Sequence, residues 1–153
     1  MSATTDSPRD TRIRIAREED EVRRCWPAFQ ELRPHIRSEE EFVERWRAQV
    51  GEGYQIAYIA EGDRVPAAAG YRPMTTMAWG RILYLDDLVA MEMSRGTGLG
   101  TALLKFLQDE TRRLGCDALH LDTGHHRHLA HRAYLRNGFR IDCMHLAWKV
   151  EHD

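Results

Sequence analysis

The sequence predicts an α/β domain. Segments with apolar residues at every second position alternate with segments whose apolar residues recur at helical spacing. Glycines, prolines and short polar pairs separate them. The 153 residues match the length of one domain, about 100–200 residues. No repeat, low-complexity tract or linker interrupts residues 11–150. A single domain is therefore expected over residues 11–153, behind a disordered polar leader of residues 1–10.

Composition narrows the class further. Charged residues are 30% and hydrophobic ones 42%, with 22 Lys plus Arg against 24 Asp plus Glu and a net charge of −2. These are globular values, which exclude collagen-like, coiled-coil and disordered chains. The absence of a basic excess argues against a nucleic-acid partner. Cys25, Cys116 and Cys143 are an odd set without short metal-type spacing, so a reducing compartment is expected rather than a disulfide framework. No apolar run reaches the roughly 18–20 residues of a spanning helix. The stretch Met1 to Pro8 lacks the apolar core of a signal peptide. The expectation is a cytoplasmic protein without a membrane partner.

Thr11 to Ala16 alternates polar and apolar residues as a first strand would. Glu18 to Glu21 then supply negative charge where a helix begins. Val22, Cys25, Trp26, Phe29 and Leu32 follow at helical spacing, and Pro27 should kink or split that helix. Ser38 with Glu41 forms a capping-box pattern for a second helix bearing Phe42, Val43, Trp46 and Val50, ended by Gly51 and Gly53. Tyr54 to Ala60 and Val65 to Tyr71 read as strands joined by a turn at Glu61 to Arg64, with Pro73 ending the second. The stretch Met74 to Gly80 is ambiguous. Arg81 to Ala90 is the strongest strand and carries Asp86 and Asp87. A helix with Leu99, Leu103, Phe106, Leu107 and Leu114 on its apolar side is closed by Gly115. Ala118 to Leu121 reads as a buried strand, His128 to Asn137 as a short helix stopped by Gly138, and Cys143 to Val150 as a last strand.

Between the strongest strand and the long helix lies Arg95-Gly96-Thr97-Gly98-Leu99-Gly100-Thr101. The first amides of a helix lack internal partners, and glycines let a bulky anion approach them. No Lys-Ser or Lys-Thr follows the last glycine, and the third glycine comes one residue early for a dinucleotide fingerprint. Tyr84 to Ala90 followed by this loop closely resembles motif A of the GNAT superfamily of acyl-CoA-dependent N-acyltransferases. Ala130 to Phe139, with Tyr134 and Gly138-Phe139, is similar to the family's second signature. The resemblance spans roughly residues 11 to 150 and is sharp from 84 to 139. Many members have a proline where this chain has Met91-Glu92-Met93-Ser94.

The resemblance implies a mixed, mostly antiparallel sheet with splayed parallel strands and helices on both faces. It implies acetyl-CoA as co-substrate, with the backbone of Leu88, Val89 and Ala90 pairing with pantetheine and one amide there serving as oxyanion hole. The pyrophosphate would rest on the amides of Gly96, Thr97, Gly98, Leu99, Gly100 and Thr101, with Arg95 adding charge and loop geometry. Arg127, near Arg132 and Arg136, would meet the 3′-phosphate end. Tyr134 matches the position of the general acid that protonates the thiolate. Asp86 is expected as general base or amine-binding group. Adjacent strand residues point to opposite faces, so only one aspartate should face the acceptor, leaving Asp87 structural. The acceptor is expected to be a primary amine on a small molecule, with polyamine and aminoglycoside-like amines suiting an acidic pocket and a peptide or protein amine also open. Homodimers are common in the family. A non-catalytic acyl-CoA sensor of the same fold, and a nucleotide-binding regulator using the glycine loop, are the alternatives.

Other residues invite chemistry. His125, His126, His128 and His131 crowd one stretch, but the pattern lacks a full ligand set, so no metal is expected and a channel-rim role fits better. His145 on the last strand is a second acceptor-facing candidate, or a core histidine. Cys116 reads as buried rather than nucleophilic. Trp26, Trp46 and Trp79 read as core or acceptor-site walls.

Overall fold

The computed structural model describes residues 13–152, which group into two compact units dividing after Leu121. The leader of residues 1–10 and the first two residues of the expected first strand lie outside the described residues. The first unit runs β1 (Ile13–Ile15), α1 (Glu19–Arg24), α2 (Trp26–Leu32), α3 (Glu39–Val50), β2 (Gln55–Glu61), β3 (Arg64–Thr76), β4 (Gly80–Ala90), a short 3-10 turn (Glu92–Ser94), α4 (Leu99–Arg113) and β5 (Ala118–Leu121). Pro27 opens α2 and separates it from α1, where its missing N–H costs no helical bond. Ser38 Oγ caps α3 by accepting from the Glu41 amide at 3.1 Å, while the Glu41 carboxylate reaches past Ser38 to the Arg37 amide at 3.1 Å.

The five strands lie in the order β1-β2-β3-β4-β5. The first three pairings are antiparallel and β4 with β5 is parallel. Ile56, Ala57, Tyr58 and Ile59 are all buried, which requires cover on both faces of the sheet. Val22, Phe29, Phe42 and Val43 from α1–α3 share a core with Ile56, Tyr58 and Ala68. The alternate residues Ala57, Ile59, Ala67 and Ala69 face the other way, where α4 packs on the sheet through Leu99, Leu103, Leu104 and Leu107.

β3 does not end at Pro73. It continues to Thr76, with Pro73 opposite Leu83. β2 stops pairing at Gln55 opposite Tyr71, so beyond that point β3 has a single neighbour and a residue without an N–H is tolerated. The ambiguous stretch is thereby resolved as the end of β3 and its turn into β4. β5 is an edge strand and only half-buried.

The second unit contains α5 (His128–Arg136), followed by Gly138 at φ +87°. The expected last strand, Cys143 to Val150, is not formed among the described residues: the segment is irregular and every residue in it is exposed. Alternating apolar residues make a strand only when a neighbour completes the ladder, and this segment has none among the described residues.

Candidate active site

α4 begins with an open N-terminus. Gly98, its N-cap residue, is left-handed at φ 81°, no side chain caps the helix, and no acidic residue occupies its first turn. Gly96 is also left-handed, at φ 80°. Both positions need glycine because a Cβ would strain them. Gly100 differs: its φ is ordinary and a Cβ there would meet nothing within 4 Å. The chain's own packing therefore does not demand glycine at Gly100, and the space beside it is open. Thr97 Oγ donates to the Ser94 carbonyl at 2.5 Å, tightening the loop. Arg95 reaches back to Glu31 at 3.3 Å and to the Ala90 carbonyl at 3.4 Å, so it braces the loop against α2. A 15-residue helix presenting bare amides and a positive dipole end fits an anion such as a diphosphate.

β4 leads into that loop with one edge exposed. Its parallel ladder to β5 covers Ile82 to Leu85 and then stops, while its pairing with β3 continues to Ala90. Leu88, Val89 and Ala90 thus lie in the half of β4 that has a strand on one side only. Backbone groups on the other side are placed to bond an extended, amide-bearing ligand, as pantetheine is.

Both aspartates line one cavity, contrary to the expectation from strict alternation. The cause is a bulge. Gly70 pairs with Asp87 and Tyr71 with Leu85, leaving Asp86 without an opposite residue. An inserted residue turns the strand locally and re-aims its side chains. Asp86 receives a fork from Arg72, with Nε and Nη2 each donating at 3.0 Å. Arg72 also donates to Glu52 at 2.8 Å. Asp87 accepts from Arg33 Nε at 3.0 Å and from the Tyr54 hydroxyl at 2.7 Å. Asp87 therefore holds two side chains in place. Arg33 Nη2 donates to the Asp86 carbonyl at 2.9 Å, tying α2 to the bulge. Burial pushes the Asp86 carboxyl above its ordinary value, and the Arg72 guanidinium offsets only part of that rise. Burial, together with Asp87, raises the Tyr54 phenol far enough to keep it a neutral donor.

The cavity has a volume of about 330 Å³. Besides the aspartates it is walled by Phe29 of α2 and Arg33 just after it, and by Phe42, Arg45, Trp46 and Gln49 from α3. Tyr54 closes one side, its ring lying so close to Gly70 that a Cβ there would fall 1.8 Å from the hydroxyl. The anticipated acidic pocket is thus charge-compensated, since each carboxylate carries its own guanidinium. Arg33, Arg72 and Tyr54 had no motif to mark them. Arg33 sits before a proline at a helix end and Arg72 before a proline in a strand, and only the fold brings them to β4. Of the tryptophans, Trp46 lines the cavity, Trp26 packs on Phe42 at 5.5 Å, and Trp79 stacks on His120 at 4.3 Å.

In the second unit, Tyr134 is half-buried on α5, its ring 5.7 Å from that of Phe139. Arg127 stands at the N-cap of α5, its amide donating to the Gly124 carbonyl at 2.9 Å. His131 Nε2 bonds the same carbonyl at 2.8 Å. His145 lies on no strand and in no core: it is exposed and 3.2 Å from Asp122. Among the described residues no three His, Cys, Asp or Glu side chains gather as metal ligands, and no helix is long and apolar enough to cross a membrane.

Comparison with known proteins agrees with this architecture. An uncharacterized N-acetyltransferase of Bacillus subtilis, YhdJ, is 30% identical over 125 residues, covering 80% of this chain and 87% of its own. The aminoalkylphosphonate N-acetyltransferase of Salmonella typhimurium is 36% identical over 56 residues, 37% of this chain and 36% of its own. The D-amino-acid N-acetyltransferase HPA3 of Saccharomyces cerevisiae is 27% identical over 88 residues, 57% of this chain and 55% of its own. Among solved structures, an aminoglycoside N-acetyltransferase, AAC(6')-Iy, in complex with CoA has a TM-score of 0.78 at 11% identity, covering 90% of this chain and 93% of that one. A Trypanosoma brucei acetyltransferase has a TM-score of 0.76 at 20% identity, covering 90% and 98%. At such identities the likeness concerns the fold. Residues 17–139 match the profile of the Acetyltransferase (GNAT) family, and with the glycine loop, the half-paired β4 and the mixed sheet in place, the chain belongs to that family of acetyltransferases.

Proposed function

We propose that this chain is an acetyl-CoA:amine N-acetyltransferase that moves the acetyl group to a primary amine of a small molecule by direct attack in a ternary complex. The observation that carries the reading is the uncapped N-terminus of α4, reached directly from the half of β4 that is paired on one side only. Amides from Gly96 to Thr101 hold the diphosphate, and the backbone of Leu88, Val89 and Ala90 holds pantetheine. Arg127 meets the 3′-phosphate end. The relatives named for D-amino acids and for aminoalkylphosphonates support a small amine as acceptor.

The amine nitrogen must be neutral to attack, although a free alkylamine has a pKa near 10. Asp86, whose carboxyl is raised by burial, takes the proton directly or through water. Attack forms the C–N bond and places negative charge on the carbonyl oxygen, which one β4 amide stabilises. Collapse breaks the C–S bond, the leaving thiolate takes a proton from the Tyr134 phenol, and the nitrogen releases its remaining extra proton to water as the phenolate is reprotonated from solvent. The products are the N-acetyl amine and free coenzyme A. Residues 11–153 are proposed to form one catalytic domain, and a homodimer is its proposed assembly.

An amine-library screen for free-thiol release from acetyl-CoA tests the proposal. At least one small amine is expected to be turned over, and Tyr134→Phe should lower kcat by roughly 10²-fold or more while KM for acetyl-CoA holds. Acetyl-CoA binding without turnover of any amine would favour the non-catalytic sensor instead.

A further inference from the structure

From the cavity in the first unit we infer that the acceptor is a monoamine with an aromatic or branched apolar body and one carboxylate, as in an apolar amino acid, and that Arg45 and Trp46 set this preference. The inference rests on the acetyltransferase reading above and specifies its substrate class.

Charge balance comes first. A polyamine brings at least two positive charges and needs carboxylates that are not already compensated. Asp86 is forked by Arg72, and Asp87 is held by Arg33 and Tyr54. Burying a second ammonium there would leave it without a partner, which is costly. One amine can still arrive, because it loses its proton before reacting and each carboxylate oxygen has a spare lone pair.

The walls come next. Phe29, Phe42 and Trp46 give the cavity an apolar side, with Phe29 and Phe42 in ring contact at 4.9 Å. A hydroxyl-rich acceptor would lose water against these rings, whereas an aromatic or branched body gains from burial there. At about 330 Å³, the cavity is near the lower end of the roughly 300–1,000 Å³ that ligand sites span.

The anion site is Arg45. It lines the cavity from α3, and among the described residues its ion pair is with Glu41, one helical turn earlier, at 3.1 Å. That pair is solvent-exposed and so contributes little. An incoming carboxylate can take its place at small cost, forming the bidentate contact that a guanidinium favours. Gln49, one turn further along α3 and also lining the cavity, can add an amide donor. Arg33 cannot serve equally, because two of its donors already hold the β4 bulge.

The test compares initial rates of thiol release for phenylalanine and tryptophan, each as both enantiomers, with phenethylamine, tryptamine, 2-aminoethylphosphonate and spermidine. The carboxylated aromatic amines are expected to have the highest kcat/KM. Arg45→Gln should raise their KM roughly tenfold or more, while KM for phenethylamine stays within about twofold. Trp46→Ala should raise KM for both aromatic classes. Preferred turnover of spermidine or the phosphonate, or equal KM rises for phenylalanine and phenethylamine in Arg45→Gln, would overturn the inference and leave the acetyltransferase reading standing. Thermal melts of both variants would identify a loss of fold, and direct binding of phenylalanine to the wild-type protein by calorimetry, expected to be displaced by tryptophan but not by spermidine, then decides the same question without them.

Discussion

At the scale of single residues, the cavity is set by side chains that neutralise one another. Asp86 is held by Arg72, yet its burial outweighs that help and raises its carboxyl. The native protein binds this proton more tightly than the unfolded chain does. The stability this group contributes is therefore complete at low pH and is lost as pH rises through the ordinary carboxylate range to the raised native value. Asp86→Asn removes that loss, so denaturant midpoints measured between about pH 3 and pH 7 should shift in the variant's favour as pH rises. A constant difference between the two proteins would contradict the assignment. Gly70 offers a second test. A methyl group there would stand 1.8 Å from the Tyr54 hydroxyl, so Gly70→Ala must push the phenol off Asp87. Overpacking of this kind costs about 1–3 kcal/mol, and chemical denaturation should register it together with a fall in kcat/KM. The sequence reveals Asp86 and Tyr134 because motifs carry them. It hides Arg33, Arg72 and Tyr54 because their partners lie 54, 14 and 33 positions away.

Elements of secondary structure are where most of the sequence reading succeeds. Glycines at positive φ, prolines at a helix start and a serine cap act locally, so α1 to α5 and the β2–β3 turn can be read from neighbouring residues. Two failures share one cause, dependence on a distant partner. Pro73 is tolerated because β2 has already ended beside it, and Asp86 joins Asp87 in the cavity because β3 skips a residue opposite. Local alternation contains neither fact. At the start of α4, Gly100 separates a structural from a binding role. Its surroundings are open, and a carboxylate in a helix's first turn stabilises the helix by about 0.3–1 kcal/mol. Gly100→Asp should therefore melt at or slightly above the wild-type temperature, while KM for acetyl-CoA rises roughly tenfold or more. A variant that melts lower with unchanged KM would make the glycine structural.

For the molecule as a whole, the thiols report how the chain is organised. Cys25 is buried beneath α1 and α2, and burial pushes its thiol up to about 12. Cys143 is exposed. Because the thiolate is the reactive form, mass spectrometry after brief alkylation of the native protein should find Cys143 modified first and Cys25 only after unfolding. Early reaction at Cys25 would contradict the core described for the first unit. The order of elements is legible from the periodicities, and the mixed sheet from the family resemblance that the two motifs carry. The segment from Cys143 to Val150 was not, since its alternation describes a strand only if a neighbour is present. The proposed function returns to the amides that open α4. Calorimetric titration of acetyl-CoA into the wild-type protein and into Gly100→Asp tests them most directly. The account predicts saturable binding of one acetyl-CoA per chain, weakened by the added carboxylate. No binding at millimolar acetyl-CoA, or equal binding by both proteins, would contradict it.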